Sequence, residues 1–401
     1  MTENECFEDL FVYIDVKPRL SVAQVAVHGQ NISQKSSGSE ISVFQDGLSI
    51  SKGGKTVTEL SVKDFSMLPL TCSGLQFTSS QELQWRVQIN KFKEQKLSDI
   101  EYIDPSAVDA APQQTDLFLF QQSLFQAKCQ NCGAQVISRN TPFSRVLPLP
   151  SDDWTEIMEN VYCCKHPTKN SSASECCNSS TENSHNSILP KRDECFVGDQ
   201  YFSLCFDDVV EYEGLKIDGD CVICSRCRHI LGKMQQYANG DSTFQIRHHS
   251  IRITHSMTPQ IEKALSSKDF SSEVYISRLL VSQVKIHNNR RFIIECKING
   301  KFKPYILLWF IDKDAHVCSK RISTSMKQID LIPEPVIKIL YNSASKNTRL
   351  CELWMKDSTV HCIDLPHSLC LLLMCLLIDS TKILPPSLRF LNDFHVGHLR
   401  R

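Results

Sequence analysis

In the N-terminal quarter of the chain, apolar and polar residues alternate in short runs broken by Gly, Asp and Ser. A period of two marks a half-buried strand, and it predicts strands at 11–16, 22–27, 41–44, 48–51, 56–60, 75–78 and 83–89. Asp46-Gly47 and Gly53-Gly54 supply hairpin turns, because glycine takes the positive φ that tight turns need. The expected product is an antiparallel sandwich or open barrel. Its sequence holds no phosphate-binding glycine loop, nucleophile elbow or paired-histidine metal motif.

A polar stretch, 91–114, with Pro105 and Pro112, separates this region from an apolar segment at 117–125. Then comes Arg145-Val146-Leu147-Pro148-Leu149-Pro150-Ser151-Asp152-Asp153-Trp154. Each proline biases its predecessor toward extended backbone, and Ser151 with Asp152 and Asp153 forms a helix start. Trp154, Ile157, Met158 and Val161 fall on one face of that helix, with Cys163, Cys164 and His166 at its end. Residues 165–194 are rich in Ser, Asn, Thr and Lys and predict a mobile loop. Strands resume at 195–199 and 201–206.

Beyond Thr243 the periodicity is mixed. Residues 244–253 alternate as a strand, and 272–286 place Ile276, Leu279, Leu280 and Val284 on one side of a helix. Asn299-Gly300 joins strands 292–298 and 305–311 in a hairpin. Further strands are expected at 336–341 and 359–363. A helix opens near Pro366 and is apolar on every face from Leu369 to Ile378, so a buried core helix ended by Pro385-Pro386 is expected. The fold class is α+β. A β-rich domain (1–115) precedes a region whose cysteine pairs Cys129/Cys132 and Cys224/Cys227 read as zinc knuckles, with the mobile insertion (116–250), and a mixed α/β C-terminal domain (251–401).

Lys and Arg (44) nearly balance Asp and Glu (45), so no overall field draws the chain to nucleic acid or an anionic membrane. The longest apolar run is too short to cross a bilayer. Nineteen cysteines in a chain of 401 residues with an acidic, non-apolar N-terminus point to a reducing compartment, cytoplasmic and nuclear. Two cysteine pairs, Cys129/Cys132 and Cys224/Cys227, have the two-residue spacer that turns both thiolates onto one ion. Zinc bound by all four is one reading, and two unrelated pairs of buried thiols is the other. Cys221 and Cys195 compete as ligands. Cys163, Cys164 and His166 are too few for a site of their own, and thiols packed under the preceding helix stand as their alternative.

The motifs CxxCG at 129–133, R-V-L-P-L-P-S-x-x-W at 145–154, Cys163-Cys164 and C-F-V-G-D at 195–199 occur together with I-C-x-R-C at 223–227 and the later Leu231-Gly232. With Y-I-L-L-W at 305–309 and L-P-x-S-L-R-x-x-N at 384–392, this set resembles the HECT-like ubiquitin ligases that bind a ubiquitin-conjugating enzyme. The resemblance implies that ubiquitin passes from a conjugating enzyme to substrates such as cyclin-type proteins, for proteasomal degradation. It implies a thioester nucleophile, matched by Cys370 in His367-Ser368-Leu369-Cys370, which carries one inserted residue. It places the docking segment at 254–282, with Val274, Ile276 and Leu280 as apolar contacts. It also implies a second role, binding and restraining the zinc endonuclease of pre-mRNA 3′-end processing. There Pro148, Leu149, Pro150 and Trp154 contact the partner, and Cys164 caps the partner's catalytic zinc.

Overall fold

The computed structural model describes residues 10–29, 39–52, 54–79, 81–90, 120, 125–139, 141–149, 189–198, 200–210, 212–236, 242–254, 271–298, 301–322 and 328–401. The N-terminal strands are β1 (Leu10–Lys17), β2 (Val22–His28), β3 (Ser39–Phe44), β4 (Gly47–Lys52), β5 (Lys55–Val62), β6 (Met67–Ser79) and β7 (Glu82–Ile89). The middle of the chain forms β8 (Phe125–Cys129), β9 (Gln135–Arg139), β10 (Arg145–Pro148), β11 (Glu194–Val197), β12 (Tyr201–Cys205) and a short helix α1 (Phe206–Val210). It continues as β13 (Leu215–Asp218), β14 (Cys221–Cys224), β15 (Ile230–Gln236), β16 (Ser242–Arg247) and β17 (Ile251–Thr254). After helix α2 (Ser272–His287) come β18 (Arg291–Ile298), β19 (Lys301–Ile322), β20 (Gln328–Leu331) and β21 (Glu334–Ser343). Helix α3 (Thr348–Met355), β22 (His361–Asp364), helix α4 (His367–Ile383), β23 (Phe390–Leu391) and β24 (Phe394–Arg400) complete the chain.

These elements form two units, one of Met1–Ile100 with Ile276–Arg401 and one of Glu101–Tyr275. The three successive domains expected from sequence are therefore corrected, because the first and last stretches share one sheet. Its strand order is β23-β24-β21-β19-β1-β2-β7-β6, with β18 pairing β19 and β22. β1 lies antiparallel to both β2 and β19, Ile14 facing Val25 on one side and Cys318 on the other. Its sequence, LFVYIDVK, is buried on both faces and so belongs in the interior of a sheet. A four-stranded sheet, β20-β5-β4-β3, covers one face, where Val12, Ile14 and Val16 meet Leu48, Ile50, Leu60 and Ile329. Tyr13, Trp354, Leu384 and Phe394 fill a second core on the other face.

Tyr13 and Asp15 alternate with those valines. Asp15 is buried and paired with Lys338 at 2.6 Å. Burial alone would raise its carboxyl, but Lys338 outweighs burial and the net shift is downward. His398 lies within 3.5 Å of the Tyr13 hydroxyl. Burial, reinforced by the Lys338 charge, pushes its imidazole down to about 4.

α4 packs one side on this sheet through Leu369, Cys370, Leu373, Leu377 and Thr381. Thr381 Oγ1 donates to the Val396 carbonyl at 2.7 Å, and Tyr341 shares a 2.8 Å hydroxyl contact with it. The expectation of burial on every face is corrected, since Leu371, Cys375 and Ile378 are exposed. The L-P-x-S-L-R motif closes the helix. Arg389 Nε donates to the Leu384 carbonyl at 2.9 Å and its second guanidinium nitrogen to that of Lys382 at 3.2 Å. Ser387 donates its hydroxyl and its backbone N–H to the buried Glu82 carboxylate on β7.

The second unit has a seven-stranded sheet, β10-β11-β12-β16-β15-β14-β13, and a three-stranded one, β17-β8-β9. Phe120, Phe125, Phe202 and Phe244 share its core. The strand expected at 244–253 breaks at a 3-10 turn, His248–Ser250, where the chain leaves one sheet for the other. Ser250 Oγ lies 2.7 Å from the carbonyls of both Leu231 and Arg247 there, and its single hydroxyl proton is donated to one of them at a time. The expected loop to 194 is also corrected at its end. Pro190 is buried, Asp193 pairs with Arg139 at 2.6 Å, and Glu194 opens β11. Among the described residues no helix is long and apolar enough to cross a membrane.

His398 sets a pH dependence. The unfolded chain takes up a proton near the ordinary 6.5, whereas the folded chain does so only at about 4. Stability is thus complete above that window and falls as pH drops through it, by about 3 kcal/mol at most for this group. Urea unfolding from pH 7 to 4 should show the loss, and His398→Phe should flatten the slope over the same interval relative to the unsubstituted chain.

Candidate metal centre and partner-binding residues

Two turns build the cluster. The first follows β8, where the chain reverses into β9, and the second follows β14, where it reverses into β15. They share one geometry. Gly133 N donates to the Cys129 carbonyl at 2.9 Å and Cys129 N to the Ala134 carbonyl at 2.8 Å. In the second turn Arg228 N donates to Cys224 O and Cys224 N to His229 O, both at 2.9 Å. Each turn needs a left-handed residue after its second cysteine. Gly133 supplies it at φ 69°, and Arg228 at 59°. Arg228 is tied by an ion pair to Asp218 at 2.5 Å. Gly232, by contrast, lies in β15 rather than in the knuckle. A Cβ there would come within 2.0 Å of the Gln245 carbonyl oxygen, so only glycine admits β16 at this distance.

The structure brings Cys129, Cys132, Cys224 and Cys227 together, with all four sulfurs within 4.8 Å of one another. Cys129 and Cys227 are 3.7 Å apart, as are Cys132 and Cys224. A disulfide needs about 2.05 Å. A tetrahedron with zinc–sulfur bonds of about 2.3 Å has edges of about 3.8 Å, so the spacing fits a four-thiolate ion. The charges argue the same way. Burial pushes the Cys129 thiol up to about 12, while the Asn131 side chain leads the interactions that draw Cys227 down to about 6. Zinc takes cysteine as thiolate, so a divalent ion at this spacing would hold all four in the anionic form. All four positions of a tetrahedral ion would be filled by protein, which makes the centre structural. Cys221 and Cys195 stay outside it. Cys195 is buried in β11, and Cys221 pairs through its backbone with Asp218 and Lys233.

Near this centre, β10 and β11 run parallel, Arg145 opposite Glu194 and Pro148 opposite Val197. Arg139 is buried beneath them and donates to Asp193 at 2.6 Å and to the Tyr212 hydroxyl at 3.0 Å. Its guanidinium also lies 4.2 Å from the Phe143 ring centre. Asp208 accepts the Asp193 backbone N–H at 3.0 Å. Pro148 is exposed at the sheet edge. Leu149, expected to contact a partner, is only 3% exposed and packs with Phe196 and Tyr201, so it anchors the segment to its own sheet. Pro150, Trp154, Cys163, Cys164 and His166, with loop residues 165–188, lie outside the described residues.

Two further expectations are corrected. Of the docking segment expected at 254–282, residues 255–270 lie outside the described residues, while Val274, Ile276 and Leu280 are 4%, 0% and 1% exposed and so offer no apolar contact. Cys370 is wholly buried, and its sulfur faces the carbonyls of Leu365 at 3.6 Å and Glu295 at 3.8 Å. Burial and the neighbouring Cys296 push the thiol up to about 12. That is the environment of an inert core cysteine. The Y-I-L-L-W motif is likewise structural, Ile306, Leu307 and Leu308 being buried in β19.

Metal content checks the centre. The purified chain should carry one equivalent of zinc, and Cys129→Ser with Cys224→Ser should lose it and melt at lower temperature. Retention of a full equivalent with an unchanged melt would exclude the assignment.

The family described as HECT-like Ubiquitin-conjugating enzyme (E2)-binding matches residues 15–396. Among curated proteins, the chain is 28% identical over 353 residues to mouse E3 ubiquitin-protein ligase E3D, covering 83% of each chain. It is 27% identical over 366 residues to the human protein of that name, covering 83% of this chain and 84% of the relative. An uncharacterized protein of Saccharomyces cerevisiae is 21% identical over 278 residues, with 68% of each chain covered. No solved structure matches. A match spanning both units from β1 to β24 means that this chain belongs to the HECT-like family that binds ubiquitin-conjugating enzymes.

Proposed function

We propose that this protein is a ubiquitin ligase that binds a ubiquitin-conjugating enzyme and promotes transfer of its ubiquitin to protein substrates, with zinc closing the four-cysteine centre. The match across residues 15–396 carries this reading. The burial of Cys370 favours an adaptor route over a covalent relay. In that route a substrate lysine amine attacks the thioester carbonyl on the conjugating enzyme, an amide forms, and the enzyme's cysteine thiolate leaves. This chain then contributes proximity and orientation. Cyclin-type proteins are the proposed substrates.

Discharge of a preformed ubiquitin–conjugating-enzyme thioester tests this. The full chain should accelerate discharge, and Cys370→Ser should do so at the normal rate. A Cys370→Ser protein that folds normally but abolishes discharge would overturn the adaptor route and restore the covalent one.

A second reading is that the protein binds the zinc endonuclease of pre-mRNA 3′-end processing. Its support is the anchoring of both flanks of the Pro-Leu-Pro and Cys-Cys stretch on one sheet, by β10–β11 pairing and by Arg139. Cys164 is the proposed ligand to the partner's zinc, since one soft thiolate would displace the hydrolytic water. Cys164→Ala should weaken binding to the purified nuclease subunit by about 2 kcal/mol or more with an unchanged melting curve. Leu149→Ala should lower the melting temperature, because its side chain is core. Equal nuclease affinity for Cys164→Ala would remove the capping role.

A further inference from the structure

Where β18 and β19 join, their buried apolar residues give way to Lys297, Lys301, Phe302 and Lys303. Pairing with the rest of the sheet stops just before this hairpin end. β22 accompanies β18 only as far as Glu295, and β21 accompanies β19 only from Ile306. Beyond those residues Cys296 faces Lys303, Lys297 faces Phe302 and Ile298 faces Lys301, which makes about 10 Å of two-stranded ribbon with no described strand beside it. Cys296 is still buried, whereas Lys297, Lys301 and Lys303 are exposed, Ile298 is half-buried and Phe302 is 51% exposed. The Phe302 ring has Lys297 Nζ 5.9 Å from its centre. No Asp or Glu occurs in the sequence between Glu295 and Asp312, and none of the three lysines has an ion pair among the described residues. Glu295 and Asp364 lie opposite each other at the base of the ribbon, behind the buried Cys296.

These observations fix the chemistry of a partner. Three lysines without carboxylate partners attract an anionic surface, and the pull is local, since charges further away than a Debye length of about 8 Å are largely screened. The near-balance of charge over the whole chain therefore does not cancel it. The ribbon projects, so it encloses nothing, and strand addition next to the sheet is obstructed on both of its edges. Pro304 has no N–H to donate, and the Glu295 carbonyl already accepts from Leu365 N at 3.0 Å. An acidic peptide held in a groove or along an edge fits this tip poorly. A yielding surface fits it well, because lysines can meet headgroups while the apolar side chains between them enter the boundary with the acyl chains. We propose that the tip formed by Lys297, Ile298, Lys301, Phe302 and Lys303 docks the protein on an anionic lipid surface. This goes beyond the ligase reading and does not depend on it. Lys297 and Phe302 share one face of the ribbon, and Ile298 and Lys301 share the other, so an end-on approach brings both faces to one plane. With three charges and one ring the contact is weak and reversible, as a single anchor on a membrane is.

The test sediments the full chain with vesicles of phosphatidylcholine, alone or with about one-third phosphatidylserine, at low and high salt. Binding is expected to the anionic vesicles only, and it should fall in high salt. Lys301→Gln and Lys303→Gln should each weaken it about fivefold, and Phe302→Ser about tenfold, with unchanged melting curves. Lys320→Gln, the same change at an exposed residue further along β19, should bind as the unsubstituted chain does. A second measurement avoids any folding concern. On the unsubstituted chain, anionic vesicles should slow acetylation of Lys297, Lys301 and Lys303, mapped by mass spectrometry, while Lys320 keeps its rate. Absence of binding to anionic vesicles, or binding that leaves the three ribbon lysines fully reactive, overturns the proposal and leaves the ligase reading untouched. A polyglutamate peptide or a single-stranded oligonucleotide that protects these lysines where the vesicles do not also overturns it, and assigns the ribbon to an acidic protein or to nucleic acid.

Discussion

The pairing of β1 between β2 and β19 is the constraint on which the larger unit depends. β1 is buried on both faces and has hydrogen-bonding edges on both sides, so it is stable only as an interior strand. Its second edge is filled by β19, which is separated from it in sequence by the whole of the other unit. The ten-stranded sheet can therefore close only after the C-terminal third of the chain exists. Contacts so distant in sequence carry a large loop-closure entropy and slow folding. The apolar cores on the two faces of the sheet, one against β3–β5 and β20, the other against the α3 and α4 side, must offset that cost.

The same topology explains what the sequence revealed and what it hid. The short runs at 11–16, 22–27 and 83–89 identified strands, because a period of two is a local property. Alternation says nothing about which strand lies alongside. The C-terminal partner of β1 left no mark near β1, and three domains in series were the natural expectation. α4 failed in the opposite sense. Its composition gave a helix, capped where Pro385 and Pro386 predict, but a run of Leu, Cys, Met and Ile carries no contrast between sides. Which side meets the sheet is set by Gly397 and Thr381 against Tyr341, and that is tertiary information.

The candidate centre was more legible because its chemistry is written in spacing. Two CxxC pairs give the turn geometry locally, and the sheets only have to bring the turns together. The left-handed residue after each pair shows the limit of such reading. Gly133 announces the conformation, whereas Arg228 hides it behind a side chain anchored to Asp218. Cys370 shows the converse. Its motif resembled a nucleophile's, yet a thiol's reactivity depends on burial and neighbouring charge, neither of which a four-residue string contains.

Placing the cysteines by environment separates their work. Cys129, Cys132, Cys224 and Cys227 form the one metal-competent group among the described residues, and their geometry is closed to substrate. Cys195, Cys296, Cys318 and Cys370 are core, and burial raises the thiols of Cys195, Cys318 and Cys370. The described thiols that solvent reaches freely are Cys72, Cys362 and Cys375. Burial pushes the thiols of Cys72 and Cys362 upward rather than toward thiolate. An activated nucleophile needs a base or a cation beside it, and the described part of the chain spends its strong polar contacts elsewhere, on Asp15–Lys338, Arg139–Asp193 and the Glu82 cap. Those contacts fix the sheets rather than drive chemistry. In the proposed function, such an organisation would act by holding a loaded enzyme and a substrate together, since proximity alone supplies a large part of a bimolecular barrier.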